Sequence, residues 1–76
     1  MTYQQKFDEL RQEFAKKSDE FIKIDKRFSE TNGFDDITLQ GEYQNGYIEW
    51  QKAAFAYTQF LAIARKNNAT PDSLYP

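Results

Sequence analysis

The side chains of this sequence that could do chemistry are hydroxyls and carboxylates, because it contains neither histidine nor cysteine. Without those two residue types, most nucleophile–base pairs and most transition-metal sites are excluded. None of the three serines has a basic residue at a spacing typical of an activated nucleophile; they are Ser18, Ser29 and Ser73. Serine chemistry is therefore not expected.

Adjacent carboxylates occur at three places, Asp8-Glu9, Asp19-Glu20 and Asp35-Asp36. The first two pairs fall on the outer face of a predicted helix, where ordinary solvation explains them, and the third suits a helix N-cap. A di-metal site of the bundle type would need a Glu-x-x-His motif, which is absent. The sequence therefore predicts a protein that is not an enzyme and holds no cofactor and no metal.

The length of 76 residues predicts one domain, residues 1–76, near the lower size limit for independent folding. A chain this short buries only about 60% of the surface that it exposes when unfolded. Without disulfides, its reinforcement must come from good helix packing or from oligomerisation. The N-terminal residues do not form a secretory signal and no apolar run is long enough to span a membrane, so we expect a cytoplasmic protein without a membrane partner.

The first helix is indicated by four phenylalanines at seven-residue spacing, with Tyr3, Leu10, Lys17 and Ile24 between them. The phenylalanines are Phe7, Phe14, Phe21 and Phe28. This heptad pattern predicts an amphipathic helix over about residues 2–31, with Thr2 as its N-cap. The helix should end at Thr31-Asn32-Gly33, with Gly33 in the left-handed conformation.

A second helix is predicted over about residues 36–67, after a connector of about residues 32–35 and before a tail of residues 68–76. With Asp35 as the N-cap, Phe34 and Leu39 have the spacing of a hydrophobic staple. Because Gly41 and Asn45-Gly46 weaken a helix, a start near Asn45 is the alternative. In the tail, Leu74 and Tyr75 could fold back onto a helix.

The second helix also carries a heptad-like apolar stripe, so the two stripes should meet as an antiparallel hairpin. The stripe consists of Leu39, Tyr43, Tyr47, Trp50, Ala54, Tyr57, Leu61 and Ala64. Matching positions across the turn predicts the pairs Phe28–Tyr43, Ile24–Tyr47, Phe21–Trp50, Phe14–Tyr57, Leu10–Leu61 and Phe7–Ala64. Lys17 then lies opposite Ala54, which leaves space for its aliphatic stem.

Further apolar residues surround most of the second helix, and one partner helix cannot bury them all. They are Ile48, Phe55, Ala56, Phe60, Ala62 and Ile63. We therefore predict an all-α fold that forms a homodimer or a higher homo-oligomer, most simply a four-helix bundle of two hairpins, with Ile48, Phe55, Ala62 and Ile63 in the oligomer interface. A surface for a different protein is the alternative.

Aromatic and acidic residues concentrate near the connector and form a candidate partner-binding surface for a protein with a basic face. The candidate residues are Asp35, Asp36, Glu42, Tyr43, Tyr47, Glu49 and Trp50. The alternative interpretation places the aromatic residues in the hairpin core, facing the phenylalanines.

The function that these features favour is that of a non-catalytic protein-binding module. Such a module would be an adaptor, or a stoichiometric inhibitor that occludes a partner protein, as small inhibitors of phages and mobile elements do. The alternative is a helical bundle that binds nucleic acid or a nucleotide through Lys23, Lys26 and Arg27. The net charge of −2 and the small size of this basic cluster disfavour nucleic acid.

Overall fold

The computed structural model describes every residue from Met1 to Pro76 and contains two helices and no strands. Helix α1 spans Tyr3–Glu30 and helix α2 spans Ile37–Lys66, with a 3-10 turn at Gly33–Asp35 between them. The helices lie side by side and antiparallel, so the molecule is a rod with extents of 50 × 16 × 14 Å. The predicted all-α hairpin is confirmed.

Helix α1 begins with the predicted N-cap. The backbone N–H of Gln5 donates to the Thr2 hydroxyl at 3.2 Å, and the backbone N–H of Thr2 donates to the Gln5 side-chain carbonyl at 2.8 Å. This reciprocal capping box satisfies two of the N–H groups that a helix N-terminus leaves without partners. It explains why the helix begins at Tyr3.

The turn after α1 uses its asparagine and glycine differently from the prediction. Asn32 takes the left-handed conformation with φ of 55°, whereas Gly33 has no positive φ. Gly33 is buried, and a Cβ on it would lie 2.3 Å from Cδ2 of the Phe28 ring. The prediction of a left-handed Gly33 was wrong, because the close approach of an aromatic ring, and not the backbone angle, requires the glycine.

Helix α2 is capped by Asp36, whose carboxylate accepts a hydrogen bond from the backbone N–H of Leu39 at 3.1 Å. Asp35, the predicted N-cap, instead accepts a hydrogen bond from the Asn32 amide at 2.8 Å. With the cap one residue later, the predicted staple between Phe34 and Leu39 is lost. Phe34 is 82% exposed, while Leu39 is buried in the hairpin.

We expect Asp36→Ala to lower the free energy of unfolding by about 1 kcal/mol, because the first turn of α2 would lose its cap. Asp36→Asn should retain most of the stability, since an asparagine side chain also accepts this bond. Asp35→Ala should have a smaller effect than Asp36→Ala, because Asp35 bonds an exposed side chain. Urea unfolding followed by circular dichroism measures all three, and a larger loss for Asp35→Ala would contradict the assignment of the cap.

Helix α2 continues without a break through Gly41, Asn45 and Gly46, so the alternative start near Asn45 was wrong. Gly46 faces α1, and a Cβ on it would lie 2.8 Å from Cδ1 of Ile24. The glycine therefore allows the two helices to approach closely at this point. Packing between the helices stabilises a segment whose intrinsic helix propensity is low.

Three predicted aromatic pairs across the hairpin are confirmed by their ring centroid distances. Phe28 and Tyr43 lie 4.9 Å apart, Phe14 and Tyr57 lie 5.7 Å apart, and Phe21 and Trp50 lie 6.2 Å apart. The rings are offset or tilted, which are the arrangements that aromatic pairs favour. The predicted register of the hairpin is correct at these three positions.

The stripe of α2 that faces α1 nevertheless differs from the predicted one. Its half-buried and buried residues are Leu39, Tyr43, Gly46, Trp50, Ala53, Tyr57, Phe60 and Ala64. This is a strict heptad of alternating four- and three-residue steps. Tyr47 and Leu61, which were predicted to face α1, are each 42% exposed. The prediction placed Tyr47, Ala54 and Leu61 in the seam, where the structure has Gly46, Ala53 and Phe60.

Lys17, the one charge in the α1 stripe, is half-buried and directs its ammonium to Glu20 of the same helix at 3.6 Å. The ion pair lies at the edge of the hairpin, where the lysine stem covers apolar surface while its charge stays in water. Lys17 therefore occupies a core position of the heptad without a buried charge.

The C-terminal tail packs against the open end of the hairpin. The backbone N–H of Tyr3 donates a hydrogen bond to the backbone carbonyl of Ser73 at 2.8 Å. The backbone N–H of Tyr75 donates to the backbone carbonyl of Met1 at 2.9 Å. The Tyr75 ring lies 5.4 Å from Tyr3 and 5.7 Å from Phe60, between ring centroids. Tyr75 thus folds back as predicted, whereas Leu74 is 78% exposed.

Candidate functional site

The feature that distinguishes the surface of this hairpin is a row of uncharged residues along the solvent side of α2. We call it the outer stripe; it consists of Ile37, Gly41, Gln44, Ile48, Gln51, Phe55, Gln59 and Ala62. At 100° per residue these positions fall within about 80° of the helix circumference, opposite the stripe that packs on α1. The outer stripe has the spacing of a second helix-packing seam, but no helix of this chain covers it.

The large apolar side chains of the outer stripe are in contact with solvent. Phe55 is 64% exposed and Ile48 is 47% exposed, and Ile37 at the start of α2 is 85% exposed. Ile48 and Phe55 line a shallow groove of about 510 Å³ together with Gln51, Lys52, Ala54 and Thr58. A groove that continues over Ile48 toward Tyr47 adds about 370 Å³. The apolar surface is therefore extended rather than confined to single residues.

Three of the four residues predicted for an oligomer interface, Ile48, Phe55 and Ala62, lie on the outer stripe. Ile63 is also exposed but points about 60° to one side of Ile48. Their role in an interface stays a prediction. Sequence reasoning missed Ile37, although it lies on the same face as Ile48 at a spacing of eleven residues, about three helical turns.

Phe60 was counted among the apolar residues that lie outside the seam facing α1, and that prediction was wrong. It is 4% exposed and packs against Tyr3 and Phe7, with ring centroid distances of 5.7 and 6.3 Å. Its position lies about 140° around the helix from Phe55, so the two phenylalanines face opposite sides of α2. Phe60 is therefore part of the core, whereas Phe55 lies on the surface.

The candidate aromatic residues near the connector belong mostly to the hairpin core. The Tyr43 ring lies between Phe21 and Phe28, at 5.1 and 4.9 Å. The Trp50 indole N–H donates to the Ser18 hydroxyl at 3.1 Å, which joins the two helices through a polar contact. These contacts match the alternative interpretation of the sequence, in which the aromatic residues face the phenylalanines.

The surroundings of Tyr43 affect the titration of its phenol. Desolvation, followed by the negative charge of the nearby Asp25, raises the pKa of the Tyr43 phenol above its ordinary value. Both effects disfavour the phenolate form of this side chain. Tyr43 is therefore suited to packing and hydrogen bonding rather than to proton transfer.

The candidate acidic residues each have a partner within the chain. Asp36 caps α2 and Asp35 accepts the Asn32 amide, as described above. Glu42 binds the guanidinium of Arg27 across the hairpin, and Glu49 lies 3.6 Å from Lys52 on α2. These carboxylates are spread over the turn and one side of α2 instead of converging on one open site.

The basic cluster considered for nucleic acid is also partly engaged. Arg27 is held by Glu42, whereas Lys23 and Lys26 are exposed on α1. Two free ammonium groups would add only a small electrostatic attraction to a phosphate backbone. The geometry gives no observation that favours nucleic-acid binding over protein binding.

The structure contains no group of three acidic side chains close enough to hold a metal ion. Neither α1 nor α2 combines the length and the apolar character that crossing a membrane requires. Comparison with known proteins finds no matching family model, no matching curated protein and no matching solved structure. The outer stripe is thus the surface feature from which a function can be inferred.

Proposed function

We propose that this chain is a non-catalytic protein-binding module that uses the outer stripe of α2 as its interface and forms a homodimer, a four-helix bundle of two hairpins. The observation that carries this proposal is the amount of accessible surface on the single hairpin, which leaves the large apolar side chains of that stripe exposed.

The accessible surface of one hairpin is 5827 Å². A folded monomer of 9.0 kDa is expected to expose only about 4,850 Å². The surplus of about 1,000 Å² is comparable to the roughly 800 Å² that each partner contributes to a stable interface. Association through the outer stripe would therefore bring the exposed surface per chain into the ordinary range.

The shape of the hairpin supports the same proposal. Its radius of gyration is 16.3 Å, whereas a compact domain of this length has about 11 Å. Only five residues are buried, because two helices enclose a single layer of side chains. Two hairpins packed through α2 would enclose a second layer, and a four-helix bundle is the usual architecture that results.

A module of this kind acts by stoichiometric binding, as an adaptor or as an inhibitor that occludes a partner. The turn end of the rod offers the surface for such a partner, since Phe34 is 82% exposed there beside Asp35 and Asp36. An apolar ring flanked by carboxylates suits an apolar pocket with a basic rim.

Light scattering coupled to size-exclusion chromatography tests the proposal. We expect the wild-type chain to have twice the 9.0 kDa mass of one chain. Phe55→Asp should reduce the mass to that of a monomer, because the interface would bury an unpaired carboxylate. The matched control is Ala15→Asp, which adds the same charge to the exposed face of α1 and should leave the dimer intact.

Two results would contradict the proposed dimer. A wild-type mass of 9.0 kDa at all concentrations would exclude self-association through any surface. A Phe55→Asp variant that stays folded and dimeric would place the interface elsewhere on the chain. Circular dichroism of each variant distinguishes loss of association from loss of folding.

A further inference from the structure

We infer that the outer stripes of two chains pair antiparallel, about a two-fold axis that passes between Gln51 and Lys52 of each α2. This inference rests on the proposed dimer and specifies its partner, its orientation and its register. The evidence lies in how the residues of the outer stripe are distributed about that axis.

In a two-fold interface, if residue i of one chain contacts residue j of the other, then residue j of the first chain also contacts residue i of the second. The interface surface must therefore be complementary to itself. About the proposed axis, Ile48 of each chain lies opposite Phe55 of the other chain. A large apolar side chain therefore meets another on both sides of the axis. Gly41 of each chain likewise lies opposite Ala62 of the other, and both residues are small enough for a close approach of the helices.

The polar positions of the outer stripe follow the same symmetry. Gln44 of each chain lies opposite Gln59 of the other, and two facing side-chain amides can each donate and accept a hydrogen bond. Beside the axis, Gln51 faces Lys52, whose ammonium is already held at the edge by Glu49 at 3.6 Å. No carboxylate would be buried in this register.

The charges at the two ends of α2 favour the antiparallel orientation. Asp35 and Asp36 lie at the N-terminal end of α2, and Arg65 and Lys66 lie at its C-terminal end. An antiparallel pair brings the acidic end of each helix close to the basic end of the other, so the charges are complementary at both ends. The opposed helix dipoles add to this preference.

A parallel pair about a two-fold axis would have the opposite effect. Each residue of the outer stripe would face its own copy, which places Lys52, at the edge of the stripe, near Lys52 of the other chain. The acidic turn ends of the two hairpins would also lie side by side. Repulsion between like charges at these positions disfavours the parallel arrangement.

Single-cysteine variants can measure the orientation directly, since the chain has no cysteine of its own. Gln51→Cys lies beside the axis and should form a disulfide-linked dimer under mild oxidation. Gly41→Cys alone and Ala62→Cys alone should not, because each copy would lie about 30 Å from its equivalent. Within one hairpin the glycine site tolerates a side chain, since nothing lies within 4 Å of a Cβ placed there.

The double variant Gly41→Cys/Ala62→Cys should form a disulfide between the two different positions, identified by mass spectrometry of the digested dimer. Within one chain these two sites are about 30 Å apart on a rigid helix, so such a link can only join two chains.

The remaining outcomes separate this inference from the proposed function. Disulfide formation by Ala62→Cys alone would show a parallel pair, which overturns the inference and leaves the dimer through α2 standing. A dimeric mass without any disulfide at Gln51→Cys would show pairing in another register or through another face, which overturns the inference. The assignment of the outer stripe is overturned as well if Phe55→Asp also stays dimeric. A monomeric mass for every variant and for the wild type would overturn both proposals.

Discussion

Phe60→Ala should lower the free energy of unfolding by about 3–5 kcal/mol, which is the usual effect of removing a well-packed phenylalanine from a core. Phe60 is the most buried side chain of the hairpin, and its ring contacts Tyr3, Phe7 and Tyr75. It therefore joins α1, α2 and the C-terminal tail at one point. A domain of this length has a total stability of only about 4–11 kcal/mol, so the variant should be marginally folded at best.

The matched control is Leu61→Ala, which removes an apolar side chain from the next residue along α2. Leu61 is 42% exposed, so its loss should affect stability much less than the loss of Phe60. Thermal unfolding at one fixed protein concentration compares the two, since a dimer would make the midpoint concentration-dependent. We expect the midpoint of Phe60→Ala to fall by more than about 10 °C. An equal or larger fall for Leu61→Ala would mean that the seam runs through Leu61.

Gly33→Ala should destabilise the hairpin by about 1–3 kcal/mol, although it adds a single methyl group. The added Cβ would lie 2.3 Å from Cδ2 and 2.6 Å from two further atoms of the Phe28 ring. That ring also packs on Tyr43 at 4.9 Å and on Phe34 at 6.0 Å, so it cannot move without disturbing the turn. The expected loss arises from steric overlap alone, since Gly33 has no positive φ.

Gly41→Ala makes the same chemical change where a Cβ meets nothing within 4 Å. It should stabilise α2 by up to about 1 kcal/mol, because alanine has the higher helix propensity. Urea unfolding should therefore move the midpoints of the two variants in opposite directions. A Gly33→Ala variant as stable as the wild type would show that the Phe28 ring does not lie against this residue.

Much of the fold could be predicted from the sequence because its signals are local. The seven-residue spacing of the phenylalanines predicted α1 and the face that it buries, and Thr2 with Gln5 accounts for its first residue. A short connector between two apolar stripes predicted the antiparallel hairpin, and three aromatic pairs followed from counting outward from the turn.

The turn was harder to predict, because two adjacent residues could each fill the same role. Asp35 and Asp36 are both suitable N-caps, and Asn32 and Gly33 can both take a left-handed conformation. The position of the Phe28 ring against Gly33 decides between them. That contact depends on how the two helices pack, which no local pattern encodes.

The candidate site was predicted in part. Ile48, Phe55 and Ala62 were expected on a face that α1 cannot cover, and they lie there. Phe60 was counted among the apolar residues outside the seam but is core, and Trp50 and Tyr43 pack between the helices. An apolar residue at almost every direction around α2 makes its periodicity ambiguous, so the residue types alone do not identify the buried side.

By itself, the sequence determined that the chain forms two long amphipathic helices, where they begin and end to within about two residues, and that α2 has more apolar surface than α1 can bury. Only the tertiary structure decided which face of α2 is buried. The physical reason is that Gly46 leaves room for Ile24, while Phe60 fills the space between α1 and the tail. Close packing rotates α2 to satisfy both contacts, and that rotation leaves Phe55 and Ile48 facing outward.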